Sequence, residues 1–472
     1  MSGLFPAVLA QLKEKFSDLV ILTPGSPEYE ESMLRWNIAA EHKAGAVIYP
    51  VSTQDVSNIL SFARANSIEL AVCGAGHNHR GNSVDDGLIV DLRKLTGVSV
   101  NPLSKRVTTE GATVWGSVYE AAGKHGLAVV GGLIPSVGVG GFTLNGGLGW
   151  LTSAHGVALD NLIEADVVLA DGRILTCSKK ENEDLFWAIR GAGSAFGIVT
   201  RFVFQAHEIN TKVWTGMMMF EPSHLKGVVD MANKVTSEGN DGTASMAFAI
   251  FACSGELEVH VLVFYNGSEE EAKTYFAPLL ELPRKVDLVQ MVPFSQATMP
   301  HGSAPGRQWR KVTAGGCLIV PLDHSFIQSI MDDLEELVTK IPDALETIFA
   351  CEMHNPYATM REKQTSTAFP FRGRHGSIQL MPTWTQEEND EACWAWCRKV
   401  DKKLAKEFQR RKNEEGMDET TRSSVGTYIN YDGLHKSPKA LYGVNYERLV
   451  ELKKKYDPGN VFKRFVDLLS GE

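Results

Sequence analysis

The chain has 472 residues, long enough for two or more domains. With 43% hydrophobic, 22% charged and 9% aromatic residues it can bury a core and falls outside the disordered class. The 47 Lys and Arg against 57 Asp and Glu leave a net charge of −10, which argues against nucleic acid or an anionic membrane as partner, and no apolar run reaches the roughly 18 residues of a transmembrane helix.

The opening stretch, MSGLFPAVLAQLKEKF, has neither a basic lead nor a long apolar run. It predicts a short helix and no secretory leader, hence a cytoplasmic protein. Seven scattered cysteines do not form a disulfide framework. Cys73 reads as a buried strand end, and Cys393 with Cys397 as one face of a helix.

Residues 40–205 are glycine-rich and alternate short apolar runs with turns. Strands are predicted at 44–50 and 69–74, with a helix between them capped by Ser52 or Thr53 and buried through Val56, Ile59, Leu60 and Ala63. Further strands follow at 88–92, 98–101, 106–110 and 127–130, and a helix at 113–125 stopped by Gly126. From 206 to 425 the glycines thin out. Strands at 213–220, 247–252, 257–264, 315–320 and 377–382 alternate with helices at 325–340 and 387–408, as in an antiparallel sheet covered by helices. The tail, 426–472, opens on YINYDG and holds a helix at 446–455 ended by Asp457 and Pro458.

Three glycine clusters lie in the first part: GAGHNHRGNS at 74–83, GGLIPSVGVGGFTLNGGLGW at 131–150, and DLFWAIRGAGSAFGIVT at 184–200. Clustered glycines let backbone N–H groups approach an anion closely. Any one cluster could be a set of tight turns; three together point to a large phosphorylated cofactor. Gly74-Ala75-Gly76-His77-Asn78-His79 fails the dinucleotide fingerprint at its third glycine. Walker A, HExxH and GxSxG sequences are absent, which removes support for phosphoryl transfer, zinc hydrolysis and serine hydrolysis. No metal site is expected.

These segments, in this order, resemble the berberine-bridge-enzyme-like flavoproteins of the vanillyl-alcohol-oxidase and p-cresol-methylhydroxylase superfamily. CGAGHNHRGNS looks like that family's histidine-bearing phosphate loop. Residues 134–161, DVVLADGRIL and DLFWAIRGAGSAFGIVTRF continue the likeness, and YINYDG with YGVNYERLVELKKKYDPGNVF resembles its closing signature. The resemblance covers about 35–205 and 425–465 and is loose between them.

The resemblance implies an α+β chain. An FAD-binding domain of two α/β subdomains (1–205) would be followed by a substrate domain (206–425) whose antiparallel sheet, covered by helices, roofs the flavin. A C-terminal segment (426–472) would return to the first domain. It implies FAD held by Gly74, Ala75, Gly76, Asn78, His79, Gly81, Asn82 and Ser83, by Pro135, Ser136, Val137, Gly138, Gly140 and Gly141, and by Asn145, Gly146, Gly147 and Gly149. Gly197, Ile198 and Val199 match the adenine end, and Asn430 completes the set. His77 falls on the histidine that bonds the flavin 8α-methyl, with His79 its local competitor. The position of a second, cysteinyl link is Ile134 here, so none is expected. Val137 matches the oxygen gate and favours O₂ as acceptor, giving H₂O₂. Phe142 stands where many members have a histidine.

On the substrate side, Tyr428, Asn430 and Tyr431 match a motif whose second tyrosine serves as base in some members. A phenol needs a lowered pKa or a stronger acceptor to act so near neutral pH. Whether Tyr431 is the base or only packs stays open. Gln379 stands near the position of a base glutamate in other members and cannot usefully take a proton. His375 and Arg372 are neighbouring polar candidates. The expected activity is oxidation of a small organic molecule, such as a secondary metabolite. A redox-neutral isomerase or cyclase, and a dehydrogenase with another acceptor, are the alternatives.

Overall fold

A computed structural model of the chain describes residues 6–78, 82–253, 256–298 and 309–471. The first domain carries two sheets. Four strands order as Val20–Leu22, Ala46–Tyr49, Leu88–Asp91, Leu70–Cys73, the last three parallel. Helix Thr53–Ala65 connects two of the parallel strands. The Ser52 hydroxyl accepts the Asp55 N–H at its N-terminus, and its buried face is the predicted Val56, Ile59, Leu60 and Ala63 together with Ser57 and Phe62. The second sheet is antiparallel: Val98–Asn101, Arg106–Glu110, Ile198–Gln205, Leu162–Val168, Ile174–Ser178. The helix expected at 113–125 is shorter, Trp115–Gly123, because Val114 stays extended and bridges Gly138. Gly126 takes a positive φ of 66° beyond it.

The second domain is built on one antiparallel sheet, ordered Val286–Asp287, Val213–Phe220, Glu256–Tyr265, Ala244–Cys253, Ile348–Met353, His375–Met381, Ala314–Ile319. Helices Leu225–Val235, His324–Lys340 and Asp390–Lys412 cover one face of it. The last of these buries Cys393 and Cys397 together, as their spacing predicts. The opposite face looks toward the first domain. Strand Ile348–Met353, near the middle of this sheet, has no counterpart in the predicted elements. It is enclosed on both faces, so it lacks the alternation that marks a half-exposed strand. No helix among the described residues is long and apolar enough to cross a membrane.

The tail returns to the first domain. Helix Tyr446–Tyr456 packs beside Glu183–Ala192. The buried Lys453 ammonium donates to the carbonyls of Ala195 and Phe462 and to Asp457, so the one helix residue ties three segments together.

One buried ion pair joins the two domains. Arg372, just before strand His375–Met381, donates to both oxygens of Asp160 at 2.9 and 2.6 Å and to the Thr359 carbonyl. Its side chain is fully enclosed. Deleting one partner of such a pair strands the other charge, at a cost of ~3–5 kcal/mol. Arg372→Met should lower the unfolding free energy by about that amount, read from the urea midpoint, and adding Asp160→Asn should recover part of the loss.

Candidate active site

A cavity of about 850 Å³ lies between the domains. Its floor comes from loops of the first domain, at 74–78, 132–142 and 194–199, with Val461, Phe462 and Phe465 from the tail. Its roof is the free face of the second domain's sheet, with Met217, Ala247, Glu352 and Gln379 among its residues. The first loop leaves the end of strand Leu70–Cys73, where Cys73 is buried. Gly76 turns it with a φ of +76°.

The two main glycine loops pack closely: a Cβ on Gly138 would come within 2.9 Å of the Ala75 Cβ. On the cavity side the reverse holds. A Cβ on Gly141 would meet nothing within 4 Å, and one on Gly74 only a carbonyl at 3.9 Å. This is a cradle of bare backbone, flanked by apolar Leu92, Ile198, Val199 and Phe462. It suits a long ligand with an anionic middle and flat rings, as FAD is.

Of the residues assigned to the cofactor, Gly74, Ala75, Gly76, His77, Asn78, Asn82, Val137, Gly138, Gly140, Gly141, Gly197, Ile198, Val199 and Asn430 line this cavity. Ser136 touches it through His77, its hydroxyl 3.2 Å from Nε2. The His77 ring stacks on Trp36 at 5.9 Å, and the Lys311 ammonium sits 4.0 Å from the Trp36 ring centre. Burial pushes Lys311 down to about 8. Ile134 and Phe142 also line the cavity, the Phe142 ring edge-on to Trp115 at 5.3 Å. His79 and Gly81 lie outside the described residues.

Ser83, Pro135, Asn145, Gly146, Gly147 and Gly149 are not among the residues lining the cavity. Ser83 is buried and exchanges hydrogen bonds with the backbone of His42. Pro135 gives its carbonyl to Gly116. Asn145, Gly146, Gly147 and Gly149 serve packing: a Cβ on Gly149 would lie 1.8 Å from the Gly131 carbonyl, and one on Gly147 2.5 Å from the Ala158 Cβ. Asn145 ties back to the Gly141 carbonyl at 2.9 Å. The glycines of this segment thus split between a ligand surface and a close crossing of backbones.

At the roof end the YINY residues separate into two roles. The Tyr428 oxygen accepts from the Gly147 N–H at 2.9 Å and from the Asn430 amide at 2.8 Å. Asn430 also donates to the Phe142 carbonyl. Tyr428 is therefore an anchor for backbone, and burial raises its pKa. Tyr431 instead donates to Glu352 Oε2 at 3.0 Å. Burial drives the phenol well above its ordinary value, so it is no independent base near neutral pH. Burial also pushes the Glu352 carboxyl up, to about 7, against the pull of the Tyr431 hydrogen bond.

Gln379 lies on the neighbouring strand, paired with Ala350, and faces the cavity. His375 is not among the residues lining the cavity. Its ring is buried against Phe371, its Nε2 is 3.1 Å from the Ser424 hydroxyl, and burial pushes it down to about 4. Glu352 was not singled out in the sequence. Its signal is a lone carboxylate inside the apolar run IFACEM, an expensive placement unless the carboxylate has a task.

Comparison with known proteins agrees with this geometry. Residues 44–178 match the family model described as FAD binding domain, and 427–464 the one described as berberine and berberine like. The chain is 30% identical to the FAD-linked oxidoreductase pgmH of Aspergillus terreus, across 98% of this chain and 96% of that protein. It belongs to the berberine-bridge-enzyme-like FAD-linked oxidoreductases. Over 40% of each chain it is 37% identical to (R)-6-hydroxynicotine oxidase of Paenarthrobacter nicotinovorans. The fold matches 6-hydroxy-D-nicotine oxidase from Arthrobacter nicotinovorans with a TM-score of 0.81 at 24% identity, over 96% of this chain and 98% of that one. It also matches xylooligosaccharide oxidase from Myceliophthora thermophila with a TM-score of 0.79 at 22% identity, over 97% and 98%.

The open space at Gly141 gives a test of the FAD cradle. Gly141→Met would project into it, and overpacking a filled site costs ~1–3 kcal/mol. Flavin content, read as flavin absorbance relative to protein absorbance, should fall several-fold while the far-ultraviolet circular dichroism is unchanged.

Proposed function

We propose that this oxidoreductase removes a hydride and a proton from a carbinol of a small organic molecule, of the secondary-metabolite kind, and passes the electrons to O₂ as H₂O₂. The observation that carries the reading is the Tyr431–Glu352 pair, held at 3.0 Å and facing the same cavity as the glycine cradle. Bound FAD supplies the two-electron acceptor for such a substrate.

The chain's own part is proton handling and enclosure. The substrate hydroxyl gives its proton to the Tyr431 oxygen as Tyr431 passes its own to Glu352 Oε2. Glu352 is thus the terminal base, and its raised pKa matches it to neutral pH. The apolar walls keep water from competing for that proton. Tyr428 and Asn430 hold the backbone that carries Tyr431. Gln379, with no proton to accept, orients the substrate. We assign the covalent link to the flavin to His77; its position on the cradle rim beside Ser136 and Trp36 supports that reading. Val137, small and on the wall, leaves O₂ a path.

Three experiments test this. Glu352 must be ionised to act, so anaerobic flavin reduction should rise with pH through about 7 and then level. Glu352→Gln should remove that limb, and both it and Tyr431→Phe should slow reduction by about 10²–10⁴-fold, the usual range of general-base catalysis, with little change in substrate affinity. Near wild-type reduction in either variant sinks the relay. Reoxidation in air should release H₂O₂; turnover only with an artificial quinone would replace O₂ as the acceptor. Separately, acid-precipitated protein should stay yellow, with the flavin on the peptide containing His77. A colourless pellet with FAD in the supernatant would remove the covalent link.

A further inference from the structure

The roof of the cavity has a chemical character that the oxidation reading leaves unused. On its sheet the cavity-facing positions fall into cross-strand rows. One row runs His260, Ala249, Ala350, Gln379, each opposite the next in the ladder. The adjacent row runs Leu262, Ala247, Glu352, and the row on the other side pairs Phe251 with Ile348 and Ile348 with Met381. All of these line the cavity. The centre is therefore a flat patch of three alanine methyls, bordered by larger apolar side chains.

Polar groups stand only at the margins of this patch. Glu352, with Tyr431, and Gln379 mark one side. His260 marks the other, two strands from that of Glu352, or about 10 Å at the usual strand spacing. His260 is held in place: its Nε2 is 3.0 Å from Glu258 Oε2, its ring packs on Phe251 at 4.6 Å, and Lys285 donates to Glu258 Oε1 at 3.2 Å. A carboxylate at Nε2 selects the tautomer with its proton there, leaving Nδ1 as an acceptor. Nδ1 has no hydrogen-bond partner among the described residues.

We infer that the roof selects a planar, largely apolar aryl compound about two fused rings wide, with its carbinol at Tyr431 and Glu352 and a hydroxyl at the far end donating to His260. The inference rests on the oxidation reading for the placement of the carbinol. A sugar chain fits poorly. Its hydroxyls would exchange water for alanine, leucine, isoleucine and methionine surfaces and lose hydrogen bonds without replacement. Flat rings lose none, and small methyls let them lie close to the sheet.

The test separates binding from turnover. 2-Acetyl-6-hydroxynaphthalene and 2-acetylnaphthalene carry no carbinol hydrogen, so each can be titrated into holoenzyme and followed by the flavin difference spectrum. Both should bind, the hydroxylated one about threefold to tenfold tighter, the worth of one net hydrogen bond. His260→Leu should erase that preference while keeping the binding of 2-acetylnaphthalene. Ala249→Met should weaken both, and cellobiose should displace neither. Equal affinity for the two naphthyl probes in wild type overturns the role of His260 without needing any variant to fold. Displacement by cellobiose, or full binding in Ala249→Met, overturns the planar site. 6-(Hydroxymethyl)-2-naphthol then tests the chemistry. Naphthyl binding without its oxidation leaves the pocket standing and removes the oxidation reading. Oxidation of cellobiose with no naphthyl binding does the reverse.

Discussion

The hydrogen bond between Tyr431 and Glu352 joins the tail to the sheet of the second domain. Tyr431 sits on a short turn, Ile429–Tyr431, held to the first domain through the Tyr428 contact with Gly147 and the Asn430 contact with Phe142. Glu352 sits inside the sheet of the second domain. The pair exists only when the tail has returned and the sheet has closed over the cradle. Closure also raises the carboxyl toward neutrality, because it removes the water that would otherwise solvate the charge. Assembly of the two domains and tuning of the base are one event.

That coupling explains where the structure places buried charge. Arg372 and Asp160 pair across the same junction, next to the segment carrying Phe369 and Phe371, which pack on Tyr428. Lys453 locks the tail from the far side through Asp457 and two carbonyls. Such pairs contribute little net stability when intact, and much of their value lies in the one arrangement they permit. Here that arrangement sets the Tyr431 oxygen within hydrogen-bond reach of a carboxylate.

The glycine segment at 131–150 shows how one composition can meet two constraints. Its middle, around Gly138 and Gly141, exposes bare backbone to the cavity. Its end, Gly146 to Gly149, has no spare volume at all and carries the positive φ values of a tight backbone crossing. The crossing holds the cradle against the neighbouring loops and presents the Gly147 N–H to Tyr428. A glycine that packs and a glycine that borders a ligand look the same in a sequence.

The sequence by itself determined the local elements and the kind of cofactor. Strand Val98–Asn101, strand Val213–Phe220 and the Ser52-capped helix stand where their patterns predict them, since alternation, periodicity and capping are properties of neighbouring residues. The ordered glycine clusters and the closing YINY segment carried the resemblance to FAD-linked enzymes. Only the tertiary structure decided which glycines border the cavity, that His375 is enclosed away from it, and that Tyr428 anchors while Tyr431 faces a carboxylate. It alone revealed strand Ile348–Met353 and Glu352, 79 residues from its tyrosine partner. The physical reason is that burial, cavity facing and a shifted carboxyl pKa depend on what the rest of the chain packs around a group, and those neighbours are distant in sequence.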